Sequence, residues 1–169
     1  MPCWFHDRMC RFWKLLSAWG PVLICMGAIF LASGDTQSKQ HSSRLLEPFL
    51  RWIWPTVSQD QIVTAILLAR KVAHMTEYGI LALLYWRGFR LSLNPATPVS
   101  GVYLRSLAVV VLYAASDEYH QTFVPDRYGS VVDVLIDTTG AAIGLGLLLL
   151  WRNWANRNPN IPVGSEGSE

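Results

Sequence analysis

The sequence predicts an all-α polytopic membrane protein of about four transmembrane helices plus a short interfacial helix. Three observations carry this. Of 169 residues, 51% are hydrophobic and only 15% are charged, whereas soluble domains carry roughly 25% charged residues. Several nearly uncharged runs approach the ~20 residues that a helix rising about 1.5 Å per residue needs to cross a hydrocarbon core of about 30 Å. Most of the eight tryptophans (Trp4, Trp13, Trp19, Trp52, Trp54, Trp86, Trp151 and Trp154) flank those runs, as aromatic residues do at membrane interfaces.

The first run, residues 15–33, is read as helix one. A signal peptide is the rival reading, with Arg8, Arg11 and Lys14 as its basic end, but the apolar stretch exceeds the usual 7 to 15 residues. Residues 34–61 are polar and then mixed, with Pro48 and Pro55 bracketing Phe49, Trp52, Ile53 and Trp54. Coil cannot lie in lipid, because each unpaired backbone group costs several kcal/mol there. This stretch is therefore expected to be an extramembrane loop with a short interfacial helix. Residues 62–86 are apolar apart from Arg70, Lys71, His74 and Glu77, so 62–69 are expected at the interface and 72–86 as the spanning part of helix two. Residues 88–100, with Pro95 and Pro98, read as a loop. Helix three is expected over 102–116 with an extension to Gln121, and helix four over 131–151, after the turn marked by Pro125 and Gly129. The tail, 153–169, lacks an apolar period and is expected to be disordered.

Arginine and lysine in short loops favour the cytoplasmic side. With both termini inside, the inner side collects Arg8, Arg11, Lys14, Arg87, Arg90, Arg105, Arg152 and Arg157, against Lys39, Arg44, Arg51 and Arg127 outside. An N-in, C-in topology is expected.

The net charge of +2, with no basic run interleaved with aromatics, argues against a nucleic-acid partner. Cys3, Cys10 and Cys25 show no C-x-x-C spacing and read as free thiols. No cofactor motif and no H-E-x-x-H signature is present, so no metal site is assigned.

Polar residues concentrate in three places. At about 100° per residue, Arg70, His74, Glu77 and Leu81 form one stripe on helix two. Asp133 and Asp137 lie one turn apart on helix four, continued by Gly140 and Gly144, a small-x-x-x-small step that lets a neighbouring helix come close. Between them runs Ser116-Asp117-Glu118-Tyr119-His120-Gln121, followed by Asp126 and Arg127. Six of the 12 carboxylates (Glu77, Asp117, Glu118, Asp126, Asp133 and Asp137) belong to these stretches. In the expected topology all lie toward the outer side. Clustered carboxylates repel, so Arg127, Arg70, His74 or a metal ion must hold them together. Each pair taken singly also fits a packing clip or a helix-end ion pair. Several ionisable groups at one membrane depth point instead to a functional site.

The patterns Lys71-x-x-His74-x-x-Glu77-Tyr78 and Ser116-Asp117-Glu118-x-x-Gln121-x-Phe123-x-Pro125-x-Arg127-x-x-Ser130-x-x-Asp133, then Gly140 and Gly144, resemble the VanZ-like family, named for a protein linked to teicoplanin resistance. The resemblance covers roughly 15–151 and implies one bacterial cell-envelope membrane domain, bounded here as 1–152, with a shared polar site. It carries over to His74, Glu77, Tyr78, Asp117, Glu118, Gln121, Arg127 and Asp133. Two departures are Asp126, where the family often has Gly, and Asp137, where it often has Asn.

The first functional expectation is a VanZ-like protein of the bacterial inner membrane that affects glycopeptide susceptibility or handles an envelope lipid. The second is an interfacial enzyme acting on a lipid-linked or phosphate-bearing substrate. There His74, Glu77, Asp117 and Glu118 are candidate acid–base groups, and Arg127, Gln121, Tyr78, Asp133 and Asp137 candidate ligand-binding groups. The third is a proton- or ion-handling oligomer. Membrane lipids, and a lipid-linked or anionic envelope ligand, are the expected partners.

Overall fold

A computed structural model describes residues 3–34, 38–125 and 128–158. Among them are five helices and no strand: α1 (Cys3–Gly34), α2 (Ser38–Ile53), α3 (Gln59–Ser92), α4 (Val99–Gln121) and α5 (Val131–Arg157). Within α1, α4 and α5, the segments Phe12–Gly34, Val99–Gln121 and Val131–Arg157 are long and apolar enough to cross a membrane. The fourth long helix, α3, packs against all three but carries Arg70, Lys71 and Glu77 along its length.

Side-chain pairs fix the directions. Trp19 Nε1 donates to Ser92 Oγ at 2.9 Å and Tyr85 OH reaches Met26 Sδ at 3.2 Å, so α1 and α3 are antiparallel. Tyr113 OH donates to Met26 O at 2.7 Å, and Ser33 Oγ to Asp117 Oδ2 at 2.7 Å, so α1 and α4 run in the same direction. Lys71 pairs with Asp133 at 2.9 Å near one end of α3, and Arg152 lies over the Trp86 ring near the other, so α3 and α5 are parallel. The result is an up-down-up-down bundle of α1, α3, α4 and α5. Its interior holds Val22, Ile29, Tyr78, Leu81, Ala82, Tyr85, Val102, Val110, Ala114, Ala141 and Leu145. Leu23, Ile24, Leu31, Leu112, Leu147 and Leu150 stay exposed on the outside. An apolar exterior around an apolar core is the arrangement lipid requires, since tails are as apolar as leucine and close packing must hold the helices together.

The tightest packing joins α3 to α5. A Cβ at Gly140 would overlap the Met75 carbonyl oxygen and lie 2.6 Å from Met75 Cα; one at Gly144 would lie 3.2 Å from Gly79 Cα. The small-x-x-x-small step thus brings two backbones together.

Several boundaries differ from the sequence expectation. Helix two is one continuous helix of 34 residues, about 51 Å at 1.5 Å per residue, and has no break at Arg70. Its start is set by a capping box, with Ser58 Oγ accepting from Gln61 N and Gln61 Oε1 accepting from Ser58 N. Its end lies at Ser92, inside the stretch read as a loop. Gly88 keeps its place in the helix because α1 passes close by, and a Cβ there would lie 3.3 Å from Ala18 O and the Trp19 ring. The turn is instead Asn94–Thr97, closed by Thr97 N donating to Asn94 O at 2.8 Å. The interfacial segment is a 16-residue helix that continues through Pro48 and leaves Phe49, Trp52 and Ile53 exposed. Finally, α5 continues to Arg157, into the stretch expected to be tail; residues 159–169 of that tail lie outside the described residues.

Candidate functional site

Four helix ends meet at one end of the bundle: the C-terminus of α1, the N-terminal half of α3, the C-terminus of α4 and the N-terminus of α5. The turn into α5 is pressed onto α4, because a Cβ at Gly129 would lie 2.8 Å from Thr122 Cγ2. Ser130 caps α5, its Oγ accepting from Asp133 N at 3.3 Å. Its own backbone N–H donates to Glu118 Oε2 at 2.8 Å. A carboxylate at a helix N-terminus is favoured by the helix dipole, so Glu118 both ties and charge-balances the α4–α5 junction.

Deeper in lies Asp117, 2% exposed. Its Oδ2 accepts from Ser33 Oγ at 2.7 Å, Gln121 Nε2 at 3.2 Å and, more weakly, Tyr78 OH at 3.4 Å. Gln121 Nε2 also reaches Glu118 Oε1 at 3.2 Å. One carboxylate thereby links α1, α3 and α4.

Beside this network is a cavity of about 250 Å³ lined by Arg70, Lys71, His74, Glu118, Gln121, Asp133 and Asp137, together with Leu67, Ile136 and Tyr128. Lys71 and Asp133 form an ion pair, each about half exposed, which contributes less than about 1 kcal/mol. His74 Nδ1 stands 3.9 Å from Asp137 Oδ1, beyond hydrogen-bond length. Asp137 is 1% exposed, and neither of its oxygens has a hydrogen-bond partner among the described residues.

The sequence-derived stripe on α3 is split by the fold. Arg70 and His74 line the cavity, Leu81 enters the core, and Glu77 is half-buried outside the cavity lining. Tyr78, rather than Glu77, reaches Asp117. It sits about 40° from His74 around the helix, on the side of the buried Ala82 and Tyr85, whereas Glu77 is about 60° to the other side, away from the core. Glu118, Gln121, Asp133 and Asp137 converge on the cavity as the clustering suggested. Arg127 and Asp126 lie outside the described residues. Ser33 was missed: only the parallel packing of α1 against α4 brings it to Asp117, and nothing in the local sequence signals that.

A family model described as VanZ/LLP1 matches residues 18–152. The chain belongs to that family. The match spans α2, α3 and α4 whole, the C-terminal half of α1 and most of α5, so the VanZ/LLP1 domain contains both the network and the cavity. No curated protein and no solved structure matches the chain.

Chemically, the lining of this VanZ/LLP1 site combines two cations and an imidazole from α3 (Arg70, Lys71 and His74) with carboxylates from α4 and α5 (Glu118, Asp133 and Asp137). Such a lining presents charge of both signs to a polar group that enters the cavity.

Proposed function

We propose that this VanZ/LLP1 protein lies in the bacterial cytoplasmic membrane with both termini inside, and that its cavity takes the phosphate-bearing headgroup of an envelope lipid from the outer leaflet. The observation that carries this reading is the mixed lining. Arg70, Lys71 and His74 stand beside Leu67 and Ile136, at the end of helices whose outer faces are apolar, where a lipid's charged head and its tails would meet the two kinds of side chain. Glycopeptide susceptibility, suggested by the resistance-linked protein for which the family is named, is the phenotype to score.

The test is lipid retention. Protein extracted in mild detergent is expected to carry phosphate-bearing lipid in native mass spectra, and the double substitution Arg70→Ala, Lys71→Ala to weaken retention about tenfold or more, as loss of charge-assisted contacts implies. A parent protein that retains no lipid, and whose melting temperature no added lipid raises, would defeat the reading.

An enzymatic version uses the same cavity, with Glu118 fixed by Ser130 and Gln121 and with His74 as proton carrier; chemically altered headgroups after incubation would distinguish turnover from binding. Ion conduction finds less support, because the interior beyond the site is built from Leu81, Ala82, Val102, Val110 and Leu145.

Topology is testable separately. In a background lacking Cys3, Cys10 and Cys25, Gln59→Cys is expected to react with an impermeant maleimide in intact cells, and Asn94→Cys only after lysis. Both positions are exposed. Labelling of both from the same side would rule out four spans in this order.

A further inference from the structure

Asp137 has no role in the packing described above. It is 1% exposed, both oxygens lack a hydrogen-bond partner among the described residues, and it lines the cavity. The nearest basic group paired with it is His74 Nδ1, at 3.9 Å; Lys71 is engaged by Asp133. An unsatisfied buried carboxylate is costly, and its environment calls for a positively charged donor of N–H bonds. A divalent metal does not fit the lining, since no three His, Cys, Asp or Glu side chains converge in ligand geometry among the described residues. An ammonium group fits, with three N–H donors for Asp137 and the neighbouring Glu118.

We propose that Asp137 binds the primary ammonium of a lipid headgroup in which that ammonium sits a short tether away from the phosphate. This rests on the lipid-headgroup reading and specifies the class of headgroup. Asp133 and Asp137 are one turn apart, as are Arg70 and His74. The cationic mouth and the orphaned carboxylate are therefore separated by about one helical turn, roughly 5.4 Å, which a two-carbon tether spans. The phosphate then meets Arg70 and Lys71, the ammonium meets Asp137, and the glycerol and chains leave past Leu67 and Ile136.

Thermal unfolding of the purified, delipidated full chain in detergent tests this, titrating short-chain phosphatidylethanolamine, phosphatidylcholine and phosphatidylglycerol, and soluble phosphoethanolamine. Phosphatidylethanolamine is expected to bind at least about tenfold more tightly than the other three, since phosphatidylcholine has no N–H to donate, phosphatidylglycerol has no cation and phosphoethanolamine has no chains. Asp137→Asn is expected to melt higher than the parent without lipid, because it removes a buried charge, and to lose the preference. Equal binding of phosphatidylethanolamine with phosphatidylglycerol or phosphatidylcholine overturns the ammonium assignment while leaving the headgroup reading intact. Phosphoethanolamine binding as tightly as the lipid overturns the lipid source. A preference that survives Asp137→Asn overturns the role of this residue, and no stabilisation by any lipid overturns both readings.

Discussion

Gly140→Ala is expected to remove most of the folded protein, although it adds a single methyl group to a residue that any sequence-based measure of helix propensity would welcome. The new Cβ would overlap the Met75 carbonyl oxygen and lie 2.6 and 2.7 Å from Met75 Cα and C. These are backbone atoms of a helix, so no side-chain rotation relieves the overlap; α3 and α5 must separate. Overpacking in a well-packed core typically costs about 1 to 3 kcal/mol. Here the separation would also lift Gly79 from Gly144 and open the pair that positions His74 against Asp137, so a loss of more than about 4 kcal/mol is expected. Fluorescence-detected gel filtration of detergent extracts reads the outcome. Gly146→Ala serves as the control, since a Cβ there meets nothing within 4 Å. A Gly140→Ala protein with parental yield and melting temperature would show that the two helices are not in backbone contact.

The second large effect is expected at Asp117. Asp117→Ala strands the Ser33 hydroxyl and one Gln121 amide contact in a buried site, and removes the acceptor that links α1 to α4. Leaving these buried donors without their acceptor costs about 1 to 3 kcal/mol each, which for a chain of this size lowers the melting temperature by roughly 4 to 20 °C in total. Asp117→Asn keeps an oxygen for Ser33 and should lose much less. Tyr78→Phe gives up only the 3.4 Å contact and should be close to neutral. If Asp117→Ala melts with the parent, Asp117 is not the tie between helices.

Much of this arrangement could be read from residue order, and what could not has identifiable causes. The apolar runs of α1, α4 and α5 are recognisable because lipid exposure demands uninterrupted apolar sequence. The concentration of Asp117, Glu118, Gln121, Asp133 and Asp137 at one end follows from the cost of scattering charge through a membrane. Helical periodicity put His74 and Glu77 on one stripe, but which flank of that stripe faces the interior depends on where α4 and α5 lie, and Tyr78 fell on the axis instead. The loop expected from residue 88 starts later because Gly88 is a contact point beneath the crossing α1, and Pro48 lies inside α2, where a proline gives up one hydrogen bond without ending the helix. Ser33 carries no signal, since its partner is 84 positions away.

The charges along α3 also bear on how the protein is made. Among the described residues three helices are long and apolar enough to cross a membrane, whereas arginine, lysine or aspartate near a helix centre adds about 2.5 to 3.5 kcal/mol to membrane insertion. The glycines that shelter α3, Gly140 and Gly144, belong to α5, which follows the other described helices in chain order. During elongation α3 must therefore be held by α1, by the insertion machinery, or at the membrane surface until α5 emerges. Packing of the four-helix bundle is thus committed only when α5 arrives, and chains ended before Val131 should be substrates for quality-control proteolysis rather than partially working proteins.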